Sequence, residues 1–236
     1  MKFFSEEIKL LSVYILVLFV MIQLSLMNGQ SKNSTSSVQI DTMVKKDTVV
    51  KVEDTLIDVK DNVALFIGDS HTANEQSGWQ RVLCNKTGMK YNNASVGGKT
   101  TYWMLEMGVY KLNNKIDYCF VYGGANDMYS SHITPTEALN NIKGIARMCK
   151  GLGIKCYVLT GFDPRKCTRT QNPNYVPRYE KLQELILTEY LEGATPIDVR
   201  VVDRKDCWDN LCHMSPAGHK KIAEKIIKDL KLKTIN

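Results

Sequence analysis

What the chain lacks narrows it first. None of its seven cysteines (Cys84, Cys119, Cys149, Cys156, Cys167, Cys207 and Cys212) stands in a CxxC pair, and no cysteine–histidine grouping has zinc spacing. Zinc ribbons, zinc fingers and thioredoxin-type redox centres are thereby excluded. An odd cysteine count is not a disulfide framework. There is no long basic block: the formal charge is only +6 and the lysines are scattered. Aromatic residues make up 8% of the chain and do not alternate with basic ones, so a nucleic-acid partner is not expected. No cysteine suited to lipidation follows the apolar run near the start.

That run is the most visible feature present. After a short polar tail, residues 1–9, residues 10–27 carry no charge, and only Ser12, Gln23 and Ser25 are clearly polar. Eighteen such residues approach the length of a bilayer-spanning helix. The exit, Ser25-Leu26-Met27-Asn28-Gly29-Gln30, lacks the small-residue signature of a cleavage site. The expectation is an uncleaved transmembrane signal-anchor with the body outside the cytoplasm; secretion after signal cleavage is the rival. Residues 28–61, rich in Ser, Thr, Asp and Lys, read as a polar tether. Residues 62–236 then form one domain, long enough to bury a sizeable core.

Within that domain, apolar strand-like runs alternate with helical patterns. Strands are expected at 63–67, around 89–93, at 117–122, 155–160 and 197–202. Helices are expected at 75–86, 101–112, 136–150, from 177 to about 192, and at 216–232 with Ser215 as cap. Such alternation predicts an α/β fold with a mainly parallel five-stranded sheet covered on both faces. The carboxyl ends of parallel strands share one edge, where ligands bind. That edge receives Gly68-Asp69-Ser70 after the first strand and Asn93-Ala94-Ser95-Val96-Gly97-Gly98-Lys99-Thr100 after the second. It also receives Gly123-Gly124-Ala125-Asn126-Asp127 after the third, and the stretch Asp206 to Ser215, which contains His213, after the fifth.

This set has a chemical meaning. A serine that attacks an ester needs a histidine as base, and the histidine needs a partner on its other ring nitrogen. The oxyanion of the tetrahedral intermediate needs fixed donors. Ser70, His213 and Asp209 fill the first roles; the Ser70 N–H, the Gly98 N–H and the Asn126 amide fill the last.

These blocks resemble the SGNH/GDSL hydrolase family. Gly68-Asp69-Ser70 is similar to its first block, with the nucleophile. Gly98 falls in the second, Gly124-Ala125-Asn126-Asp127 in the third, and His213 before Met214-Ser215-Pro216-Ala217-Gly218 in the last. The resemblance runs from about Val63 to the C-terminus. It implies a flavodoxin-like three-layer α/β/α sandwich, no metal or cofactor, and hydrolysis of esters or removal of O-acetyl groups. Together with the apolar run it makes an acylated small molecule or glycan the expected substrate. An O-acyltransferase with the same triad and a non-catalytic binding module remain as alternatives.

Two positions depart from the family pattern. Its Asp stands three residues before the His, where this chain has Asn210; Asp209 is four before, and Asp206 is a further candidate. His71 directly after Ser70 resembles acyltransferase-associated members, and otherwise reads as a surface turn residue. Asp69 and Asp127 read as turn or cap residues. His132 and His219 read as surface, and Trp208 either packs over the histidine loop or lines the pocket. Cys119 and Cys156 read as core residues, whereas Cys207 and Cys212 pair only in an oxidising compartment. The long segment after the fourth strand, with Arg165, Lys166, Arg169, Arg178, Tyr175 and Tyr179, is expected either to line the substrate's leaving-group side or to be a solvated face.

Overall fold

The computed structural model describes residues 55–74, 76–130, 132–167, 172–208 and 213–235. The 10–27 run, the tether before residue 55, Arg169, and the stretch Asp209 to Cys212 lie outside the described residues. Among those described, no helix is long and apolar enough to cross a membrane.

Five strands, β1 (Val63–Gly68), β2 (Lys90–Asn93), β3 (Tyr118–Tyr122), β4 (Lys155–Leu159) and β5 (Thr195–Ile197), pair in the order β2-β1-β3-β4-β5. Every pairing is parallel, with Ala64 opposite Tyr91 and Tyr118, and Tyr118 opposite Lys155. Among the described residues, six helices connect them and a seventh follows β5: α1 (Trp79–Thr87), α2 (Thr101–Lys111), α3 (Ala125–Tyr129), α4 (Pro135–Gly151), α5 (Pro164–Cys167), α6 (Tyr175–Thr188) and α7 (Pro216–Asp229). Helices α1 and α7 pack together, and α4 packs against both α2 and α6.

The two faces of the sheet differ because side chains alternate along a strand. Phe66, Phe120 and Tyr157 stack across three strands on the face that meets Trp79 of α1. The opposite face carries small and aliphatic groups, among them Cys119 and Cys156, and meets Cys149 of α4. Helix ends follow local chemistry. Thr134 and Glu137 form a reciprocal capping box before Pro135, and Ser215 Oγ accepts the Gly218 N–H at the start of α7.

The structure shifts several boundaries. The packed domain extends before Asn62: Val59 is buried, Ile57 bridges to Leu232, and Asp58 meets Lys233. The first helix starts at Trp79, four residues later than its expected start at Glu75. A short helix, α3, occupies what reads as a loop after β3.

The fifth strand is Thr195–Ile197, not 197–202. Its only neighbour among the described residues, β4, ends at Leu159, so the ladder stops there. Beyond Ile197, Thr160 Oγ1 accepts the Val199 N–H, and Asp198 turns back to bind Arg200. Val199 and Val202 are buried by packing rather than by strand pairing, and an apolar run looks the same in either case.

Candidate active site

Strand order reverses between β1 and β3, with β2 on one side and β4 and β5 on the other. Connections leave such a switch point in opposite directions and open a crevice at the strands' carboxyl ends. Ser70 follows β1, Gly98 follows β2 and Asn126 follows β3, so all three arrive at this crevice.

The turn that carries Ser70 is tightly knit. Asp69 Oδ1 accepts the His71 N–H at 3.0 Å, and the Asp69 carbonyl accepts from Thr72 and Ala73. Gly68 is required there: a Cβ would lie 2.4 Å from the Tyr122 carbonyl oxygen and 2.7 Å from Thr72 Oγ1. Beside Ser70 runs the turn after β2. A Cβ on Gly97 would lie 3.6 Å from Ser70 Cβ, and the next residue, Gly98, holds φ at +75°. Asn126 Nδ2 donates to the Lys99 carbonyl at 3.0 Å, which fixes its amide against the same turn. One amide hydrogen remains for another acceptor. The N–H groups of Ser70 and Gly98 meet no acceptor among the described residues.

Asp127 does not face the crevice chemistry. Its buried carboxylate accepts the N–H and Oγ1 of Thr101 at the start of α2, and burial holds its pKa above the usual carboxylate range. It ties the glycine turn to α3, in keeping with a structural role.

His213 completes the cluster. Its Nε2 lies 3.0 Å from Ser70 Oγ. The loop that carries it is closed at its base by an antiparallel bridge between Cys207 and Met214, and by the Trp208 N–H donating to the His213 carbonyl. Ser215 N–H and Oγ both donate to the Asp206 carbonyl. Asp206 itself is buried, and its Oδ2 accepts from Lys221 Nζ at 2.6 Å and from the Asp203 N–H at 2.8 Å. Burial opposes its ionisation, but the bonds from Lys221 and Asp203 prevail and hold its pKa below the usual range. Asp206 therefore closes the base of the histidine loop. Asp209 and Asn210 lie outside the described residues. Trp208 is half-exposed on the rim of the loop.

Two sequence expectations need correction. His71 is not a surface turn residue: it is buried, stacked on Tyr122, edge-on to Phe162, and 5.4 Å from the His213 ring. Burial, with His213 and His219 adding to it, pushes its pKa down to about 3. His219 is also buried. Its Nδ1 accepts the Trp79 N–H at the start of α1, and burial, then His213, pushes its pKa down to about 4. No periodicity marks His71, which is buried in a turn, whereas His219 stands at i, i+3, i+4 and i+7 spacing with Ile222, Ala223 and Ile226 on the buried face of α7.

For the cations after β4, the pairing favours the solvated-face alternative for Arg165 and Lys166. Arg165 pairs with Glu180, and Lys166 with Asp163 and Asp203. Arg178 donates to the carbonyls of Ser130, Asp127 and Ile133, while Tyr175 and Tyr179 are buried. These groups brace α3 and α6. Asp69 is buried too; burial pushes its pKa up to about 7 against the opposing His71 N–H bond, with Asp127 adding to the rise.

The chain is similar to known proteins in sequence and in fold. Residues 66–221 match the GDSL-like lipase/acylhydrolase family. No curated protein matches the chain. Among solved structures, an acetylxylan esterase from Geobacillus stearothermophilus is 18% identical with a TM-score of 0.56, over 74% of this chain and 96% of that one. A psychrotrophic esterase from Pseudoalteromonas sp., described as inhibited by monoethylphosphonate, is 15% identical with a TM-score of 0.58, over 72% of this chain and 97% of that one. A lipolytic protein of the G-D-S-L family from Desulfitobacterium hafniense is 15% identical with a TM-score of 0.58, over 71% and 99%. At these identities the solved structures share the fold, and the family match extends over most of the chain. The chain belongs to the GDSL-like lipase/acylhydrolase family and is a carboxylic ester hydrolase.

Proposed function

We propose that this protein removes O-acetyl groups from carbohydrate through a Ser70–His213–Asp209 triad. The observation that carries the reading is the 3.0 Å contact between Ser70 Oγ and His213 Nε2. At that distance the imidazole accepts the hydroxyl proton as Ser70 attacks the acyl carbon. The tetrahedral oxyanion is held by the Ser70 N–H, the Gly98 N–H and the remaining Asn126 amide hydrogen. Protonated His213 then returns its proton to the leaving alkoxide. A water molecule, deprotonated by His213, releases acetate from the acyl-enzyme and restores Ser70.

Asp209 is assigned to the second ring nitrogen of His213. Asn210 is an amide and would stabilise the imidazolium poorly, and the Asp206 carboxylate is already engaged by Lys221 and the Asp203 N–H. Three structures of the Geobacillus acetylxylan esterase are described as catalytic mutants at a serine, a histidine and an aspartate, which supports both the triad chemistry and an acetylated glycan as substrate class. The uncharged run at 10–27 supports an anchored enzyme with its body outside the cytoplasm.

The test is hydrolysis of a short-chain chromogenic acetate and of acetylated xylo-oligosaccharide by the full chain. Ser70→Ala and His213→Ala are expected to abolish both, and Asn126→Ala to lower kcat by about 10²–10³ with little change in KM. Asp209→Ala is expected to be far more damaging than Asn210→Ala. Turnover that survives Ser70→Ala defeats the triad. Hydrolysis of the chromogenic ester alone defeats the carbohydrate assignment. Retention in the membrane fraction after alkaline carbonate washing checks the anchor.

A further inference from the structure

The sheet holds a second convergence of reactive side chains, away from the catalytic edge. Cys119 of β3, Cys156 of β4 and Cys149 of α4 are buried, with their sulfurs all within 4.8 Å of one another. Cys119 and Cys156 are register partners on adjacent strands, in the half of the sheet opposite its carboxyl edge. Cys149 reaches them from the last turn of α4. Three elements distant in sequence thus bring three thiols to one point in an otherwise aliphatic layer. All three carry free thiols.

We propose that Cys119, Cys149 and Cys156 form a three-sulfur site for a soft monovalent cation, Cu(I). Geometry allows it: sulfurs no more than 4.8 Å apart leave a point within about 2.8 Å of each, and small side-chain rotations close that to the ~2.3 Å typical of metal–thiolate bonds. The donor set selects the ion. Thiolates favour Cu(I), zinc or iron–sulfur clusters. Clusters are held by four cysteines. A structural zinc site takes four protein ligands, and a three-ligand zinc keeps an open position for water; a sealed, three-sulfur pocket offers neither. Cu(I) is content with three sulfurs.

As the ion enters, each of the three cysteines releases its thiol proton to solvent and its sulfur electron pair forms the bond to copper; no electron is transferred. Entry falls at the end of α4, beside Gly151 and Gly153, where a helix terminus opens at least cost.

The test uses the full chain with Cys84, Cys167, Cys207 and Cys212 replaced by Ala or Ser, leaving only the cluster. Under anaerobic conditions it is titrated with Cu(I) held by a chromophoric competing chelator, and the loaded protein is examined by X-ray absorption at the copper edge. The expected result is one Cu(I) withdrawn per chain, a copper shell of three sulfurs, and a raised Tm. Cys156→Val, which keeps the strand packed, is expected to abolish uptake. If the four-cysteine replacement does not fold, the same titration compares the wild-type chain with Cys156→Val, and the expected difference is one equivalent. No uptake by the wild-type chain, even when refolded with Cu(I), overturns the proposal. Equal uptake with and without Cys156, or a copper shell of fewer than three sulfurs, overturns it as well.

Discussion

The imidazole of His71 lies 5.4 Å from that of His213, with the two planes inclined by 34°. His71 forms the floor beneath the His213 ring and is itself fixed between Tyr122 and Phe162. Its Nδ1 is buried without a partner among the described residues, and burial keeps the ring neutral.

That burial makes stability depend on pH. The unfolded chain protonates His71 near 6.5, whereas the folded one does so only near about 3. Between those values the unfolded state binds the extra proton, so this contribution to stability is present above pH 6.5 and is lost as pH falls towards 3. His71→Phe keeps a ring in the same slot and removes the titration. The slope of unfolding free energy against pH, from urea denaturation between pH 4 and 6, is expected to decrease by about 1.4 kcal/mol per pH unit. An unchanged slope would show that His71 is not buried neutral. His71→Ala, by contrast, opens a cavity and is expected to cost about 2–4 kcal/mol at pH 8.

Asp69 has the opposite sign. Its folded pKa is raised from 3.8 to about 7. The folded state therefore retains a proton that the unfolded state has lost, and this contribution declines as pH rises from about 4 to 7. Asn imitates the protonated carboxyl and still accepts the His71 N–H. Asp69→Asn is expected to gain stability relative to wild type on going from pH 4 to pH 8, on the order of 2–4 kcal/mol. Equal pH dependence of the two proteins would refute the raised pKa.

Lys221 and Asp206 make the ion pair at the base of the His213 loop. Lys221 is partly exposed, so solvent weakens the pair. Lys221→Met is expected to cost only about 1 kcal/mol of stability. The kinetic effect should be larger, because Asp206 also anchors Ser215. A several-fold fall in kcat with KM nearly unchanged is the expected outcome for the chromogenic acetate; an unchanged kcat would place the pair outside catalysis.

Gly68 and Gly98 are required for different reasons and should respond differently. A Cβ at Gly68 meets backbone at 2.4 Å, whereas one at Gly98 meets nothing within 4 Å and suffers only from φ of +75°. Gly98→Ala is expected to fold, lose about 1 kcal/mol, and keep its esterase activity, since its N–H is unchanged. Gly68→Ala is expected to displace Ser70 and lose activity even where soluble protein is recovered. Comparable activity in both variants would contradict the close approach at Gly68.

Most elements of the fold were legible from period and punctuation. Val63 to Ile67 is an unbroken apolar run bounded by Gly68, and Thr134-Pro135 with Glu137 announces a capped helix. The fifth strand was misplaced because burial and strand pairing leave the same apolar trace: Val199 and Val202 are buried without a ladder. The cations after β4 were left between a substrate-facing and a solvated reading because a sequence displays charge but not its partner. Arg178 instead satisfies three backbone carbonyls.

The amino-acid sequence by itself determined the α/β alternation, the parallel sheet, and the blocks around Ser70, Gly98, Asn126 and His213, because each of these depends on neighbours within a few residues or on the shared edge that parallel strands impose. Only the tertiary structure decided that Ser70 Oγ and His213 Nε2, 143 residues apart, stand at 3.0 Å, that Asp206 serves Lys221, that His71 is buried, and that Cys119, Cys149 and Cys156 share one pocket. Those facts depend on which helix lies across which strand. Packing of distant surfaces sets that, and local periodicity carries no record of it.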